Sequence, residues 1–155
     1  MKKILFAVAA MLLSFAAQAQ TPYGPSINIE QARKVIAGAT AEARKINVPM
    51  AIAVVDTAGI LVALEKMDNT QLASVNVAID KAVSATTYRR PTKVFQDILA
   101  GGGAGLRVLH LRGANAVEGG LPIVVDGKII GAVGLSGGSA EQDGACAKAG
   151  ADALK

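Results

Sequence analysis

The chain has 155 residues, about one domain, and its composition is 52% hydrophobic and 18% charged. The formal net charge of +4 falls to +2 without Lys2 and Lys3, and the chain beyond residue 19 has no Trp, two Tyr and one Phe. So few aromatic and basic residues exclude an obvious nucleic-acid surface, and one cysteine with one histidine excludes an internal disulfide and a zinc cluster.

The first 19 residues have the pattern of a secretory signal peptide. Lys2 and Lys3 precede an apolar stretch from Ile4 to Ala17, and Ala17-Gln18-Ala19 resembles a cleavage site. The apolar stretch is shorter than the roughly 20 residues of a membrane-spanning helix. We expect cleavage after Ala19, a periplasmic or secreted protein, and no membrane partner afterwards. An uncleaved membrane anchor is the alternative.

Residues 20–27 are expected to form a flexible lead-in, and residues 28–155 the folded domain. Asn28, with Gln31 three residues later, fits a capping box. Apolar residues then recur at helical spacing for about 18 residues. This pattern predicts an amphipathic first helix that Pro49 ends.

Two apolar runs follow, from Ala51 to Val55 and from Ile60 to Leu64. The four residues between them, Asp56-Thr57-Ala58-Gly59, predict a tight turn between two strands. Asp56 is expected to accept backbone N–H groups in this turn, and Gly59 to adopt a positive φ.

A second helix is predicted from Gln71, with Lys81 off its apolar face and an end near Tyr88 or Arg89, because Pro91 follows. Thr92 is expected to cap a short third helix that runs to about Leu99. The glycines at 101, 102, 103 and 105 predict a flexible loop, and the sequence VLHLR a brief extended stretch.

The run from Val117 to Asp143 is rich in glycine. Leu121 to Val125 and Ile129 to Leu135 predict a second hairpin, since Asp126-Gly127 is a preferred two-residue turn. Gly131 and Gly134 within the second strand indicate close approach of another backbone or a ligand.

A last helix is predicted after Ser139, with Gln142 completing a capping box and Cys146 buried within it. Glu141 and Asp143 in its first turn would face a bound phosphate, which argues against a phosphate cradle. The two hairpins and the helices together predict an α+β fold with a mostly antiparallel sheet covered by helices.

Three blocks, VVDTAGILVALEKMD, KAVSATTYRRPT and EGGLPIVVDGKIIGAVGLSGGSAEQD, precede a closing alanine-rich helix and cover nearly all of the chain beyond the signal. Together they resemble the GlcG/HbpS family of haem-binding-like proteins, which also includes the C-terminal domain of some PduO proteins. The resemblance implies a profilin-like α-β-α sandwich, assembly into a homo-oligomer, and binding of haem or haem-derived iron by secreted members.

The resemblance also implies a site near the end of the second helix and the EGGLPI turn. It implicates a hydroxyl as the metal ligand, for which Ser84 and Thr92 are the best-matched candidates and His110 the alternative. Two further pairs are candidates for the ligand site: Arg89 and Arg90, because guanidinium groups suit haem propionates, and Gly119 and Gly120, because a flat ligand can approach their backbone. A solvated helix end and a tight turn are the structural alternatives.

A further group of residues bears on a possible metal site and on catalysis. Glu118, Glu141 and Asp143 form either an acidic iron site or helix-capping groups. Cys146 and His110 have no evident partner for nucleophilic catalysis. We therefore expect an exported small-ligand-binding protein with haem as a possible cofactor. An enzyme or accessory protein that acts on a small organic acid is the alternative.

Overall fold

The computed structural model describes residues 20–155, so the predicted signal peptide lies outside the described residues. Within residues 20–155, none of the helices is both long and apolar enough to cross a membrane. Four α-helices, four strands and one 3₁₀ helix follow one another along residues 20–155. They are α1 (Ile29–Lys45), β1 (Ala51–Asp56), β2 (Leu61–Lys66), α2 (Ser74–Tyr88), α3 (Lys93–Ala100), the 3₁₀ helix (Gly103–His110), β3 (Gly120–Val125), β4 (Lys128–Ser136) and α4 (Ala140–Asp152).

The four strands form one antiparallel sheet in the order β2-β1-β4-β3. Both predicted hairpins are confirmed. Asp56 Oδ1 accepts the backbone N–H groups of Ala58 at 2.8 Å and Ile60 at 2.9 Å, and Gly59 has a φ of 79°. Asp126 and Gly127 both have positive φ, as the two-residue turn requires.

Helices cover both faces of this sheet, because alternate residues of a strand point to opposite sides. Ile52 and Val54 pack in the main core with α1 and α4, and Ala51 and Ala53 pack on the other side with Ala78 of α2. The layers are therefore helix, sheet and helix, which confirms the predicted α+β fold.

The side chains at the contact between α2 and β4 are small. A Cβ added to Gly134 of β4 would lie 2.1 Å from the carbonyl oxygen of Ala78 and 2.5 Å from the backbone nitrogen of Ala82. The glycine is therefore required for the close approach of α2 to the sheet, as its position within a strand indicated.

Both predicted capping boxes are present, Asn28 with Gln31 and Ser139 with Gln142. Thr92 differs from its predicted role, because its side chain makes no capping bond to α3. Its Oγ1 instead accepts the backbone N–H of Gly120 at 2.9 Å. A long-range partner has thus replaced the local one.

Two segments predicted as loops are more ordered than their composition indicated. The glycine-rich stretch and most of VLHLR form the 3₁₀ helix rather than a loop and a strand, and Val108 is its buried anchor. Residues 20–27, expected as a flexible lead-in, pack along the sheet. Gly24 donates its N–H to Ile129 at 2.8 Å, Ile27 is buried, and the Tyr23 hydroxyl donates to the carbonyl of Thr86 at 2.6 Å.

Candidate functional site

A cleft of about 430 Å³ lies between β3, α4 and the start of α3. Its size is in the range of small-molecule sites. The lining is largely apolar, and it carries three lysines and two carboxylates. The apolar residues are Pro91, Leu121, Pro122, Val124, Ala147 and Ala151, the glycines are Gly119, Gly120 and Gly144, and the charged residues are Lys93, Glu118, Lys148, Asp152 and Lys155.

The charges of the cleft are already paired within the chain. Lys93 Nζ lies 2.8 Å from Asp97 and 3.8 Å from Glu118, and Lys148 and Lys155 both contact Asp152. The hydrogen bond to Asp97 is the main reason that the pKa of Lys93 lies above 10.5. Hydrogen bonds from Lys148 and Lys155 lower the pKa of Asp152. Exposed pairs of this kind are weak, so an acidic ligand can displace the carboxylates from the lysines.

Gly119 and Gly120, two of the predicted site residues, do line the cleft, and backbone hydrogen bonds to β4 and to the start of α3 hold them in place. Gly119 has a φ of 126°, which side-chain-bearing residues rarely adopt. Its carbonyl accepts the N–H of Leu135 in β4 at 2.9 Å, and the carbonyl of Gly120 accepts the N–H of Thr92 at 3.0 Å. The same backbone that forms one wall of the cleft is therefore packed against β4 and the start of α3.

A buried ion pair lies directly behind this glycine pair. Lys81 of α2 is 1% exposed, and its Nζ donates to Asp143 Oδ2 at 2.7 Å and to the carbonyl of Leu135 at 3.0 Å. A Cβ added to Gly119 would lie 2.9 Å from that Nζ. Burial raises the pKa of Asp143, and the hydrogen bond from Lys81 opposes that shift. The pair links α2, β4 and α4 behind the cleft.

The predicted hydroxyl ligands, Ser84 and Thr92, are fully buried. Ser84 Oγ accepts the N–H of Asn115 at 2.9 Å, and Thr92 Oγ1 accepts that of Gly120. Neither side chain is among those that line the cleft. In this structure both hydroxyls hold backbone segments together.

The two predicted arginines and His110 also lie outside the cleft lining. Arg89 ends α2 in a left-handed conformation and stacks on the Tyr23 ring at 5.4 Å. Arg90 lies 5.6 Å from the centre of the Phe95 ring and donates to the carbonyl of Tyr88. His110 is exposed at the end of the 3₁₀ helix. The structure thus brings together only the glycines of the predicted set at the cleft.

The acidic residues considered for iron are not gathered in one place. Within residues 20–155, no three side chains of His, Cys, Asp or Glu are grouped as a metal site would require. Asp143 is bound to Lys81, and Glu118 lies 3.8 Å from Lys93 Nζ. Burial raises the pKa of the Cys146 thiol to about 11, so it is protonated at neutral pH.

Residues of α4 and Lys81 are the site features that sequence reasoning missed. Gly144, Ala147, Lys148 and Ala151 recur at three- and four-residue spacing, which places them on one face of α4, and Lys155 follows just beyond the end of the helix. That spacing was a usable signal for the cleft. The prediction that Lys81 lies off the apolar face of α2 is wrong, because Lys81 is buried. Its place between Ala78 and Ala85 on the same face of α2 was a weaker signal of this burial.

Comparison with known proteins places the chain in a family. Residues 27–152 match the family described as "Haem degrading protein HbpS-like". This chain belongs to that family. The GlcG protein of Escherichia coli is 39% identical over 107 residues, which are 69% of this chain and 78% of GlcG. The resemblance drawn from the three sequence blocks is therefore confirmed.

Two solved structures show the same fold. A double mutant of Streptomyces reticuli HbpS superposes with a TM-score of 0.77 at 26% identity, over 90% of this chain and 94% of that chain. The structure of a PduOC–haem complex superposes with a TM-score of 0.74 at 27% identity, over 83% of this chain and 94% of that chain. The family thus includes a member that has been solved with haem bound.

Proposed function

We propose that this protein binds haem, or an iron-bearing compound derived from haem, in the cleft between β3, α4 and the start of α3. The observation that carries this proposal is the composition of the cleft, an apolar lining with lysines around it. A porphyrin presents a flat apolar ring and acidic side groups, so it needs these two features together. Membership of a family with a haem-bound structure supports the choice of ligand.

The lining fits the porphyrin ring better than it fits the iron. Val124, Ala147 and Ala151 offer apolar contacts, and Lys93, Lys148 and Lys155 offer cations for the acidic side groups. Imidazole, thiolate and thioether groups hold haem iron most strongly, and none of the described lining residues carries one. Glu118 and Asp152 carry the two carboxylates of the lining, and a carboxylate would be a weaker ligand for the iron.

Comparing haem with metal-free protoporphyrin tests this proposal. The chain is titrated with haemin, followed by its Soret absorbance, and separately with protoporphyrin IX, followed by its fluorescence. We expect saturable binding of both, with dissociation constants within about tenfold of each other, because ring and acidic groups supply most of the contacts. If the protein binds haemin but not protoporphyrin IX, an iron ligand such as His110 governs the interaction. Binding of neither would remove porphyrins from the account.

An exported location is part of this proposal, and it rests on the lysines, the apolar stretch and the small residues of the first 19 positions. The expected product is a protein that starts at Gln20 in the periplasm or the medium. Mass spectrometry of the protein recovered from those fractions tests it. An intact Met1 terminus there would contradict the proposed cleavage.

A homo-oligomer is also proposed, with the groove between α1 and β2 as the contact between copies. Strand β2 is an edge of the sheet, and Ile29 and Leu64 are exposed beside it. The groove carries both signs of charge, Arg44 and Glu65 among them, so a twofold axis can pair it with itself. Light scattering should give more than the monomer mass, and Leu64→Glu should lower it. A monomeric wild type would contradict this contact.

An enzyme that acts on a small organic acid is the alternative function. It has less support, because both carboxylates of the cleft are paired with lysines. Turnover of a small acid by the purified protein, abolished by Glu118→Gln, would establish it.

A further inference from the structure

The 3₁₀ helix presents large apolar side chains to solvent. Leu106 is 51% exposed, Leu109 68% and Leu111, just beyond the helix, 39%. Val108 is 3% exposed and anchors the segment to the domain. Clustered exposed apolar side chains mark a surface for interaction more often than isolated ones do. We call Leu106, Leu109 and Leu111 the leucine ridge.

Basic residues lie between and beside the leucines of the ridge along the chain. Side chains three residues apart are aligned along a 3₁₀ helix, so Leu106 and Leu109 form one row and Arg107 and His110 the next. Arg112 follows, and all three polar side chains belong to exposed residues. The salt bridges among residues 20–155 do not involve Arg107 or Arg112.

Acidic residues are absent from the sequence between Asp97 and Glu118. The acid that α2 brings to this region, Asp80, lines a small hollow with Gly113, Ala114 and Asn115. That hollow lies beyond the leucine ridge in the chain. Asp97 of α3, the helix that packs against the 3₁₀ helix, is bound to Lys93 at 2.8 Å. The charged side chains on the segment of the ridge itself are therefore all basic.

We propose that the leucine ridge docks reversibly on an anionic lipid surface. Leucines enter the boundary between headgroups and acyl chains, and Arg107 and Arg112 contact the anionic headgroups. The single sign of charge argues against a second copy, because a twofold contact would place the arginines of one copy against those of the other. The groove between α1 and β2 carries both signs and lacks that conflict. This contact departs from the expectation of no membrane partner, and it requires no spanning helix.

Vesicle co-sedimentation tests this proposal. The full chain is expressed, its processed N-terminus is determined, and every variant is compared in that same processed form. The lipids are phosphatidylcholine alone and phosphatidylcholine mixed with phosphatidylglycerol. The variants are Leu109→Ser, Arg107→Gln and, as the control, Leu72→Ser. Leu72, two residues before α2, is 89% exposed, so it is an exposed leucine like Leu109 but lies outside the ridge.

We expect binding to the anionic vesicles that weakens as salt is added. Leu109→Ser should weaken it about tenfold and Arg107→Gln about fivefold, while Leu72→Ser leaves it unchanged. Equal binding to both kinds of vesicle, or an equal loss with Leu72→Ser, would overturn the proposal. Binding to neither kind of vesicle would also overturn the proposal, and it would point to a protein partner for the ridge.

Discussion

At the scale of single residues, Lys81 shows how a charged side chain can be part of the core. It lies at a position of α2 that faces the sheet, and Asp143, which neutralises it, comes 62 residues later in the chain. Two buried charges in contact contribute little net stability compared with apolar residues, but removal of one leaves the other unpaired. The pair therefore fixes α4 against α2 behind the cleft.

Lys81→Met should lower the free energy of unfolding by about 3–5 kcal/mol, because Asp143 is left as an uncompensated buried carboxylate. The double variant Lys81→Met with Asp143→Leu should recover a large part of that loss. Urea denaturation of the single and double variants measures both. Independent, additive losses would mean that the two side chains are not coupled.

The buried thiol of Cys146 makes the free energy of unfolding depend on pH, and the direction of that dependence follows from its pKa. Burial is the main cause that raises the pKa of its thiol from 9.0 to about 11, and Glu42 and Asp143 add to it. The unfolded chain therefore loses the thiol proton first, so this group stabilises the fold below pH 9 and ceases to do so as pH rises through about 11. The difference in unfolding free energy between wild type and Cys146→Ala should shrink over that range. A difference that stays constant with pH would contradict the shift.

Asp152 contacts two of the three lysines of the cleft, so it competes with an acidic ligand. Asp152→Asn should tighten porphyrin binding by about threefold, because Lys148 and Lys155 are released from a weak exposed pair. Glu30→Gln, which releases Arg33 from a similar pair on α1, is the matched control and should change nothing. Weaker binding by Asp152→Asn would show that Asp152 orders the lysines rather than competing for them.

At the scale of secondary-structure elements, the features set by neighbouring residues were the predictable ones. The capping boxes at Asn28 and Ser139 and the turn at Asp126-Gly127 depend on residues two to four apart, and all were found. The 3₁₀ helix was missed because its glycines give no periodic signal. The role of Thr92 was missed because its partner, Gly120, is 28 residues away.

The cleft itself was predictable only in part. Gly119 and Gly120 were identified as candidates because a flat ligand can approach the backbone of glycines. Lys148 of α4 and Lys155 beyond its end join them only after β3 and α4 pack together, and that packing is not encoded in either segment alone. Arg89 and Arg90 have the right charge for an acidic ligand, but Tyr23 and Phe95 provide them with aromatic partners.

The close contact between α2 and β4 leads to a prediction about Gly134 in β4. Gly134→Ala should destabilise the fold by roughly 1–3 kcal/mol, because the new methyl group meets the backbone of α2. Gly101→Ala is the control, since its added Cβ would make ordinary contacts at the end of α3, and it should change stability by less than about 0.5 kcal/mol. Equal stability of both variants in urea would mean that α2 shifts freely over the sheet.

At the scale of the whole molecule, three surfaces differ in the charge beside their apolar residues. The cleft carries three lysines and two carboxylates, the α1–β2 groove carries both signs, and the leucine ridge lies beside the basic residues Arg107, His110 and Arg112. These patterns fit an acidic small molecule, a second copy of the chain and an anionic surface, respectively. The three proposals are therefore separable, because each has its own variant.

The most direct test of the account is where haem binds. Val124, in β3 within the cleft, is 38% exposed, and Leu61, in β2 away from it, is 44% exposed. Haemin titrations of Val124→Asp and Leu61→Asp compare a carboxylate placed in the cleft with one on a similar strand position elsewhere. We predict that Val124→Asp weakens binding at least about tenfold and that Leu61→Asp leaves the Soret titration unchanged. Unchanged binding in Val124→Asp, with the fold intact by circular dichroism, would contradict the assignment of the cleft as the haem site.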